Sequence, residues 1–192
     1  TRTTSSAASD VYKRQSTIQM IHISHININD DFVERIIGFF KDNILKTYTW
    51  DETRVLSMDK GGIGKYNLPE TYYEILDLAK DVKSKVTDKE FSVLQNVEIV
   101  KYPCGACKVF HKDRTRKTTT GASITYLNDN YIGGHTVIEG IDVQPLSGRT
   151  VYFDGMEFRH GVSNVIKRDR YTLSMWYGLD NTMPLNKDFL EI

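Results

Sequence analysis

The sequence predicts a mainly β protein in which two helices support a β-barrel or β-sandwich. Two amphipathic helical patterns lie in the first half of the chain, and from about residue 94 short β-rich runs alternate with turn residues. Many short strands at this spacing are typical of closed or double-layered β folds. The 192 residues suit a single domain, and 40% of them are hydrophobic, which is enough for a core at this size.

The stretch from about 16 to 93 is predicted to supply helical support. Residues 18–24 partly alternate between apolar and polar and predict a strand. Asp30 and Asp31 precede apolar residues at helical spacing, which predicts a helix over about 31–45. A glycine-rich loop follows at 59–64, and Pro69 begins a second predicted helix.

The stretch from about 94 to 180 is predicted to form the β core. Gly133-Gly134, Pro145 and Ser147-Gly148 interrupt its apolar runs as turn residues do. The predicted strands are 94–102, 107–111, 121–127, 135–139, 149–154, 158–163 and 170–177.

Residues 1–15 differ from the rest of the chain. They are rich in Ser and Thr, and they have neither a hydrophobic period nor the apolar stretch of a signal peptide. The string from Ser5 to Gln15 resembles translated sequencing-adapter read-through. We therefore expect a non-native or disordered tail over 1–15, followed by one domain over 16–192.

The charge balance and the cysteine count narrow the classes of partner and location. Lys+Arg and Asp+Glu both number 25, so nothing predicts non-specific binding to nucleic acid or to an anionic membrane. No apolar run approaches the roughly 18–20 residues of a membrane helix.

Cys104 and Cys107 make no disulfide framework, which favours a cytoplasmic location. A zinc site of both cysteines with His111 is conceivable, but two small residues in a strand or turn are the simpler interpretation.

Three residues form a candidate metal site. In His111-Lys112-Asp113 the first and third side chains would share one face of a strand, because successive residues alternate faces. His160, in a second strand-like run, is the candidate third ligand. Two histidines and one carboxylate on one side of a metal are typical of non-haem Fe(II) oxygenases. The triplet alone is a common pattern, so the hypothesis depends on its surroundings.

Arg170 follows His160 by ten residues, at the start of a predicted strand. If that strand is buried, the guanidinium group needs an anionic partner. A dicarboxylate co-substrate would supply one, since a guanidinium group binds carboxylate through two parallel hydrogen bonds. The alternative is a surface arginine, because the residues just before it are polar.

Four motifs follow one another in residues 94–177. They are Tyr102-Pro-Cys-Gly followed by His111-Lys-Asp113, Tyr126-Leu-Asn followed by Gly133-Gly-His-Thr136, Val143-Gln-Pro-Leu-Ser-Gly-Arg149, and His160-Gly-Val followed by Arg170. In residues and order they resemble the prolyl 4-hydroxylase-like family of Fe(II)/2-oxoglutarate-dependent dioxygenases. The fold that this resemblance implies is a double-stranded β-helix (jelly roll).

The resemblance also implies roles for individual residues. It implies that His111, Asp113 and His160 are the catalytic iron ligands, with Fe(2+), 2-oxoglutarate and O2 taking part and ascorbate in support. It implies further that Arg170 binds the distal carboxylate of 2-oxoglutarate.

The resemblance also implies roles for two tyrosines and a tryptophan. Tyr102 and Tyr126 would donate hydroxyl hydrogen bonds to the co-substrate, although each would also suit the core. Trp176 would flank the substrate or simply pack. His135 departs from the family pattern, and we expect it to face solvent without acting as a fourth ligand. The basic loop 114–120 either covers the site or is an ordinary exposed hairpin loop.

The function that the resemblance implies is hydroxylation of a prolyl residue in a peptide or protein. A free amino acid or another small molecule is the alternative substrate. A non-catalytic, cupin-like metal-binding module is an alternative of another class. Neither nucleic acid nor a membrane is an expected partner, and the sequence makes no prediction about oligomeric state.

Overall fold

The computed structural model describes residues 21–58, 69–86, 93–113 and 118–179. The predicted tail over 1–15, the glycine-rich loop over 59–64 and residues 114–117 of the basic loop lie outside these ranges.

Two helices support the sheets, as predicted. Helix α1 (Asp30–Asp42) begins where the Asn29 side chain accepts a hydrogen bond from the Phe32 N–H at 2.7 Å, and two acidic residues occupy its first turn. It ends before the predicted residue 45, because a short 3-10 helix (Ile44–Lys46) follows. Helix α2 (Pro69–Lys85) begins at the predicted proline. Neither helix is long and apolar enough to cross a membrane, nor is any other in the described ranges.

Thirteen strands in the described residues form three antiparallel sheets. The largest has the order β1-β10-β6-β13-β4-β3-β2, the second has the order β5-β11-β8-β9, and β12 pairs with β7. The strands are β1 (His22–His25), β2 (Tyr48–Trp50), β3 (Thr53–Ser57), β4 (Val93–Tyr102), β5 (Lys108–His111), β6 (Thr119–Tyr126), β7 (Ile132–Gly133), β8 (Thr136–Ile138), β9 (Ile141–Val143), β10 (Arg149–Phe153), β11 (His160–Val162), β12 (Val165–Lys167) and β13 (Arg170–Gly178).

Two hydrophobic cores lie on opposite faces of the seven-stranded sheet. One packs this sheet against α1 and α2 and contains Ile36, Phe40 and Leu173. The other fills the space between the two larger sheets and contains Val100 and Val162. The predicted jelly roll with supporting helices is therefore confirmed.

Strands β2 and β3 lie in the stretch where only helices and one strand were predicted. Strand β2 has three residues, which is too short for a recognisable period. In β3 the neighbours Val55 and Leu56 are both fully buried, because one faces the inter-sheet core and the other the helix-side core. A strand buried on both faces has no polar alternation to reveal it. The short strands β7, β9 and β12 were missed for the same reason as β2.

Strand β13 separates the helix-side core from the interior between the sheets. Its odd-numbered residues from Tyr171 to Tyr177 belong to the helix-side core. Since successive side chains in a strand point to opposite faces, Arg170, Ser174 and Trp176 point the other way. A single strand thus contributes side chains to the helix-side core on one face and to the interior between the two larger sheets on the other.

We expect Phe40→Ala to lower the free energy of unfolding by about 3–5 kcal/mol, the usual cost of truncating a buried aromatic side chain. Phe40 is 0% exposed and its ring meets that of Tyr171 edge-on at 5.7 Å between centroids. Denaturant unfolding followed by circular dichroism measures the change. Leu45→Ala is the control, because Leu45 is 97% exposed, and it should change stability by no more than about 0.5 kcal/mol. Equal effects of the two substitutions would contradict this packing.

Candidate active site

The two candidate histidine ligands are directly paired across two strands. His111 on β5 lies opposite His160 on β11, and their ring centroids are 4.4 Å apart. The Nδ1 atom of His111 is 3.0 Å from the Val109 carbonyl oxygen, and that of His160 is 3.2 Å from the Phe158 carbonyl oxygen. We assign the ring proton to Nδ1 in both, because carbonyls only accept, and this leaves each Nε2 lone pair available to a metal.

Asp113 lies two residues beyond the end of β5, and not within the strand as predicted. Its position is fixed instead by its backbone N–H, which donates to the Gly155 carbonyl oxygen at 2.8 Å. Its Oδ1 atom is then 3.8 Å from His111 Nε2 and 3.5 Å from His160 Nε2. The three potential ligand atoms all lie within 4.8 Å of one another, so one ion could contact each of them.

The environment favours the protonation states that bind metal. Burial lowers the pKa of His111, so its imidazole is neutral at pH 7. Burial by itself would raise the pKa of the Asp113 carboxyl, but contact with His160 and the hydrogen bond from the Trp176 N–H lower it below its usual value. Neutral imidazole and ionised carboxylate are the forms that coordinate a cation.

The group of His111, Asp113 and His160 supports the predicted iron site, whereas the zinc site considered from the sequence is not supported. Two imidazoles and one carboxylate are a recognised set for Fe(II). Among the described residues, His111, Asp113 and His160 are the only group that could hold a metal. Cys104 instead places its Sγ atom 3.0 Å from the Ile166 carbonyl oxygen, so a zinc site with Cys107 is not supported.

His135 is not part of the candidate metal site. Its Nδ1 atom pairs with Asp142 Oδ1 at 2.7 Å, and the residue is half-buried.

Arg170 is buried in the interior between the sheets and is not a surface residue. It is 1% exposed, and its Nη2 atom donates to Thr136 Oγ1 at 3.0 Å. Its Nε atom is buried and has no hydrogen-bond partner in the described part of the chain. Such a cation with unused donors is suited to an anionic ligand.

Two tyrosine rings flank this guanidinium group. Tyr102 is the cross-strand partner of Arg170 on β4, and Tyr126 lies at the end of β6 on the other side of β13. The guanidinium carbon is 4.5 Å from the Tyr102 ring centroid and 5.1 Å from that of Tyr126. Burial raises the pKa of the Tyr102 hydroxyl, so it remains a proton donor at neutral pH.

The Tyr126 hydroxyl is hydrogen-bonded to Thr136 and to the backbone of Val143. It lies 2.8 Å from both Thr136 Oγ1 and the Val143 carbonyl oxygen, and it accepts the Thr136 N–H at 2.9 Å. In this arrangement Tyr126 positions Thr136, which in turn accepts from Arg170. Its predicted role as a direct donor to the co-substrate stays a prediction.

Tyr131 is a candidate binding residue that the sequence analysis missed. Its hydroxyl is buried without a hydrogen-bond partner in the described ranges, and its ring and the Arg170 side chain both lie against Gly134, where a Cβ atom would come within 3.0 Å of each. Burial raises its pKa, so the group is a neutral donor. It lies in the turn before β7, where nothing in the spacing of the sequence sets it apart from a core tyrosine.

Two cavities meet at the candidate metal site. A small inner cavity of about 50 Å³ reaches from the metal-site side chains towards Tyr102 and Thr136. An outer groove of about 690 Å³ lies in front of the same side chains. The residues lining the outer groove are Tyr48, Trp50, Gln95, Asn96, Glu98, His111, Lys112, Asp113, Thr119 and Trp176.

Two tryptophans lie in contact with the candidate ligands. The Trp176 indole N–H donates to Asp113 Oδ2 at 3.1 Å. The Trp50 ring meets that of His111 edge-on at 5.4 Å between centroids. Trp176 thus lines the groove, as a residue flanking a substrate would. It also donates a hydrogen bond to Asp113, which is a candidate metal ligand.

Residues 97–178 match the family model of the 2OG-Fe(II) oxygenase superfamily. This region contains both candidate histidines, Asp113 and Arg170, so the resemblance predicted from the sequence is confirmed by the match. That superfamily implies Fe(2+), 2-oxoglutarate and O2.

Solved structures similar to this one include three prolyl hydroxylases. A Pseudomonas putida prolyl-4-hydroxylase is 19% identical with a TM-score of 0.66, covering 90% of this chain and 99% of its own. The viral collagen prolyl hydroxylase of Paramecium Bursaria Chlorella virus-1, solved with 2OG, is 14% identical with a TM-score of 0.63, covering 84% and 97%. A Trichoplax adhaerens prolyl hydroxylase, solved with a hypoxia inducible factor peptide fragment, is 14% identical with a TM-score of 0.64, covering 92% and 94%. At these identities the likeness concerns the fold. No curated protein sequence matches the chain.

We expect His160→Ala to abolish stoichiometric binding of Mn(II), because one of three ligands is lost. Isothermal titration of the metal-free protein measures this. His135→Ala is the matched control, since that histidine pairs with Asp142 outside the cluster, and its metal affinity should equal that of the wild type. Unchanged binding by His160→Ala would contradict the assignment.

Proposed function

We propose that the protein is an Fe(II)/2-oxoglutarate-dependent dioxygenase that hydroxylates a C–H bond of a substrate bound in the outer groove. The observation that carries this proposal is the arrangement of two sites along one interior. Three candidate metal ligands lie where the groove and the inner cavity meet, and a buried cation whose Nε atom has no partner among the described residues lies deeper, beyond the inner cavity. A metal-binding module without catalysis would not need that cation.

In this proposal His111 and His160 hold iron through Nε2, and Asp113 holds it through Oδ1. Three ligands on one side leave the remaining positions for co-substrate and O2. When bound, iron with 2-oxoglutarate and O2 supplies the oxidation that adds oxygen to the C–H bond, and 2-oxoglutarate leaves as succinate and CO2.

The residues around Arg170 would bind and orient 2-oxoglutarate. The distal carboxylate would accept from the Arg170 guanidinium group and from the Tyr131 hydroxyl, each of which has a buried donor without a partner among the described residues. Tyr102 would pack against the guanidinium group and donate its hydroxyl hydrogen bond. Burial of Arg170, Tyr102 and Tyr131 would keep this carboxylate away from water, which would strengthen these hydrogen bonds.

For the substrate we propose a prolyl residue in a peptide or protein. Support comes from the three solved structures with this fold that are named prolyl hydroxylases. It also comes from the rim of the groove, where Tyr48 is 38% and Trp50 is 42% exposed, so that an extended chain has access. Aromatic side chains with exposed faces suit the apolar ring of proline.

One observation favours the second candidate, a free amino acid or another cationic small molecule. Glu98 lines both cavities and is only 8% exposed. Its Oε1 atom accepts from the Tyr48 hydroxyl at 2.8 Å and from Asn96 Nδ2 at 3.1 Å. A carboxylate oriented in this way beside a substrate groove favours an ammonium group over an uncharged prolyl peptide.

A cytoplasmic location and a supporting role for ascorbate also remain proposals.

We expect Arg170→Met to weaken 2-oxoglutarate binding by about 2–5 kcal/mol, because the co-substrate carboxylate loses its buried cationic partner. This corresponds to a rise in the KM for 2-oxoglutarate of roughly 30-fold or more. Tyr131→Phe should raise it by roughly tenfold, since one hydrogen bond to a charged group is lost. Release of CO2 from labelled 2-oxoglutarate measures both.

Tyr73→Phe is the control for these substitutions, because Tyr73 is 59% exposed on α2 and should leave the KM unchanged. A wild-type KM in Arg170→Met would contradict the binding site. The absence of 2-oxoglutarate turnover in the metal-loaded wild type would contradict the proposed function itself.

A substrate panel tests the two substrate classes. We expect mass spectrometry to find one added oxygen atom in proline-rich peptides after incubation with Fe(II), 2-oxoglutarate and ascorbate. Glu98→Gln should leave hydroxylation of an uncharged prolyl peptide nearly unchanged, whereas it should reduce turnover of a free amino acid at least tenfold, because the ammonium group loses its carboxylate partner. Hydroxylation of free amino acids alone would contradict the prolyl-peptide proposal.

A further inference from the structure

The Asp113 carboxylate occupies a closely fitted space formed by Gly155 and Trp176. Asp113 has no strand pairing to orient it, because β5 ends two residues earlier. The backbone of Gly155 contacts it from one side, and the indole of Trp176 binds it from another. We call these two residues the Asp113 socket.

Trp176 distinguishes between the two oxygens of this carboxylate. The indole N–H donates to Oδ2 at 3.1 Å, whereas Oδ1 is the oxygen that faces both histidine Nε2 atoms. An indole N–H can only donate, so it keeps Oδ2 turned towards β13. Rotation of the carboxylate that brought both oxygens to the metal would break this hydrogen bond.

Gly155 limits the position of the same carboxylate by close approach. Its carbonyl oxygen accepts the Asp113 N–H at 2.8 Å. A Cβ atom at position 155 would overlap Asp113 Oδ2 and would lie 2.9 Å from Asp113 Cγ. The backbone of Gly155 lies outside the positive-φ region, so what requires glycine here is the space taken by Asp113.

We propose that Gly155 and Trp176 are positioning residues that hold Asp113 as a one-oxygen metal ligand. This inference rests on the proposed function and assigns to it two residues that do not touch the metal. With Oδ2 held by the indole, the carboxylate occupies one coordination position instead of two. The second coordination position, which the other carboxylate oxygen would otherwise occupy, then stays open to co-substrate or O2.

The first experiment compares Gly155→Ala with Gly38→Ala in the full chain. Both add one methyl group, but a Cβ at Gly38 meets no atom within 4 Å. We expect Gly155→Ala to weaken Mn(II) affinity roughly tenfold to a hundredfold, as loss of a partner that orients a ligand does. Gly38→Ala should bind Mn(II) as the wild type does. Equal affinities of the two variants would overturn the role of Gly155.

The second experiment removes the indole N–H and keeps an aromatic ring. Trp176→Phe should weaken Co(II) affinity by roughly tenfold or more. It should also change the visible absorption spectrum of the Co(II)-loaded protein, because the carboxylate can then turn both oxygens to the metal. A wild-type spectrum and affinity in Trp176→Phe would overturn the role of Trp176. A purely structural role would shift thermal unfolding without altering the spectrum.

A double-substitution cycle separates the socket from general damage to the fold. If Gly155→Ala acts through the Asp113 side chain, its cost to the stability of the metal-free protein should largely disappear in an Asp113→Ala background. An equal cost in both backgrounds would overturn the proposal. Failure of the wild type to bind Mn(II) or Co(II) would instead contradict the proposed function, so the two failures are distinguishable.

Discussion

The antiparallel pairing of β5 with β11 is the constraint on which the candidate site depends. It sets His111 directly opposite His160, and the local carbonyls of Val109 and Phe158 turn both rings so that their Nε2 atoms are available. Because a shift of one residue in an antiparallel pair moves a side chain to the other face, this register cannot change without separating the two ligands. Asp113 then needs only one backbone hydrogen bond, to Gly155, to complete the group.

Strand β13 connects this site to the stability of the whole fold. Its central place in the seven-stranded sheet gives it two neighbours, β4 and β6, and the tyrosines that flank Arg170 come one from each. One face of β13 packs against the helices, while the other presents Arg170 near one end and Trp176 near the other. The proposed co-substrate residue and the proposed Asp113 partner therefore lie on a single rigid element, which holds both to precise positions.

Much of the fold could be predicted from local patterns in the chain. The acidic start of α1, the proline of α2 and the turn residues between the β-rich runs each have a direct physical cause within a few neighbouring residues. Strand β3 could not be predicted, because its burial on both faces comes from the helices on one side and the second sheet on the other. The short β2, β7, β9 and β12 depend on pairing partners and carry no period of their own.

For the candidate site, the sequence by itself determined which residue types were available and in what order: His111, Asp113, His160 and Arg170, set within the motifs of one enzyme family. Only the tertiary structure decided which side chains meet. It brought Tyr131 to the buried cation, Trp176 to Asp113 Oδ2, and Gly155 against the same carboxylate. The physical reason is that these contacts join residues far apart in the chain through sheet register and close packing, and no local period in the sequence encodes either.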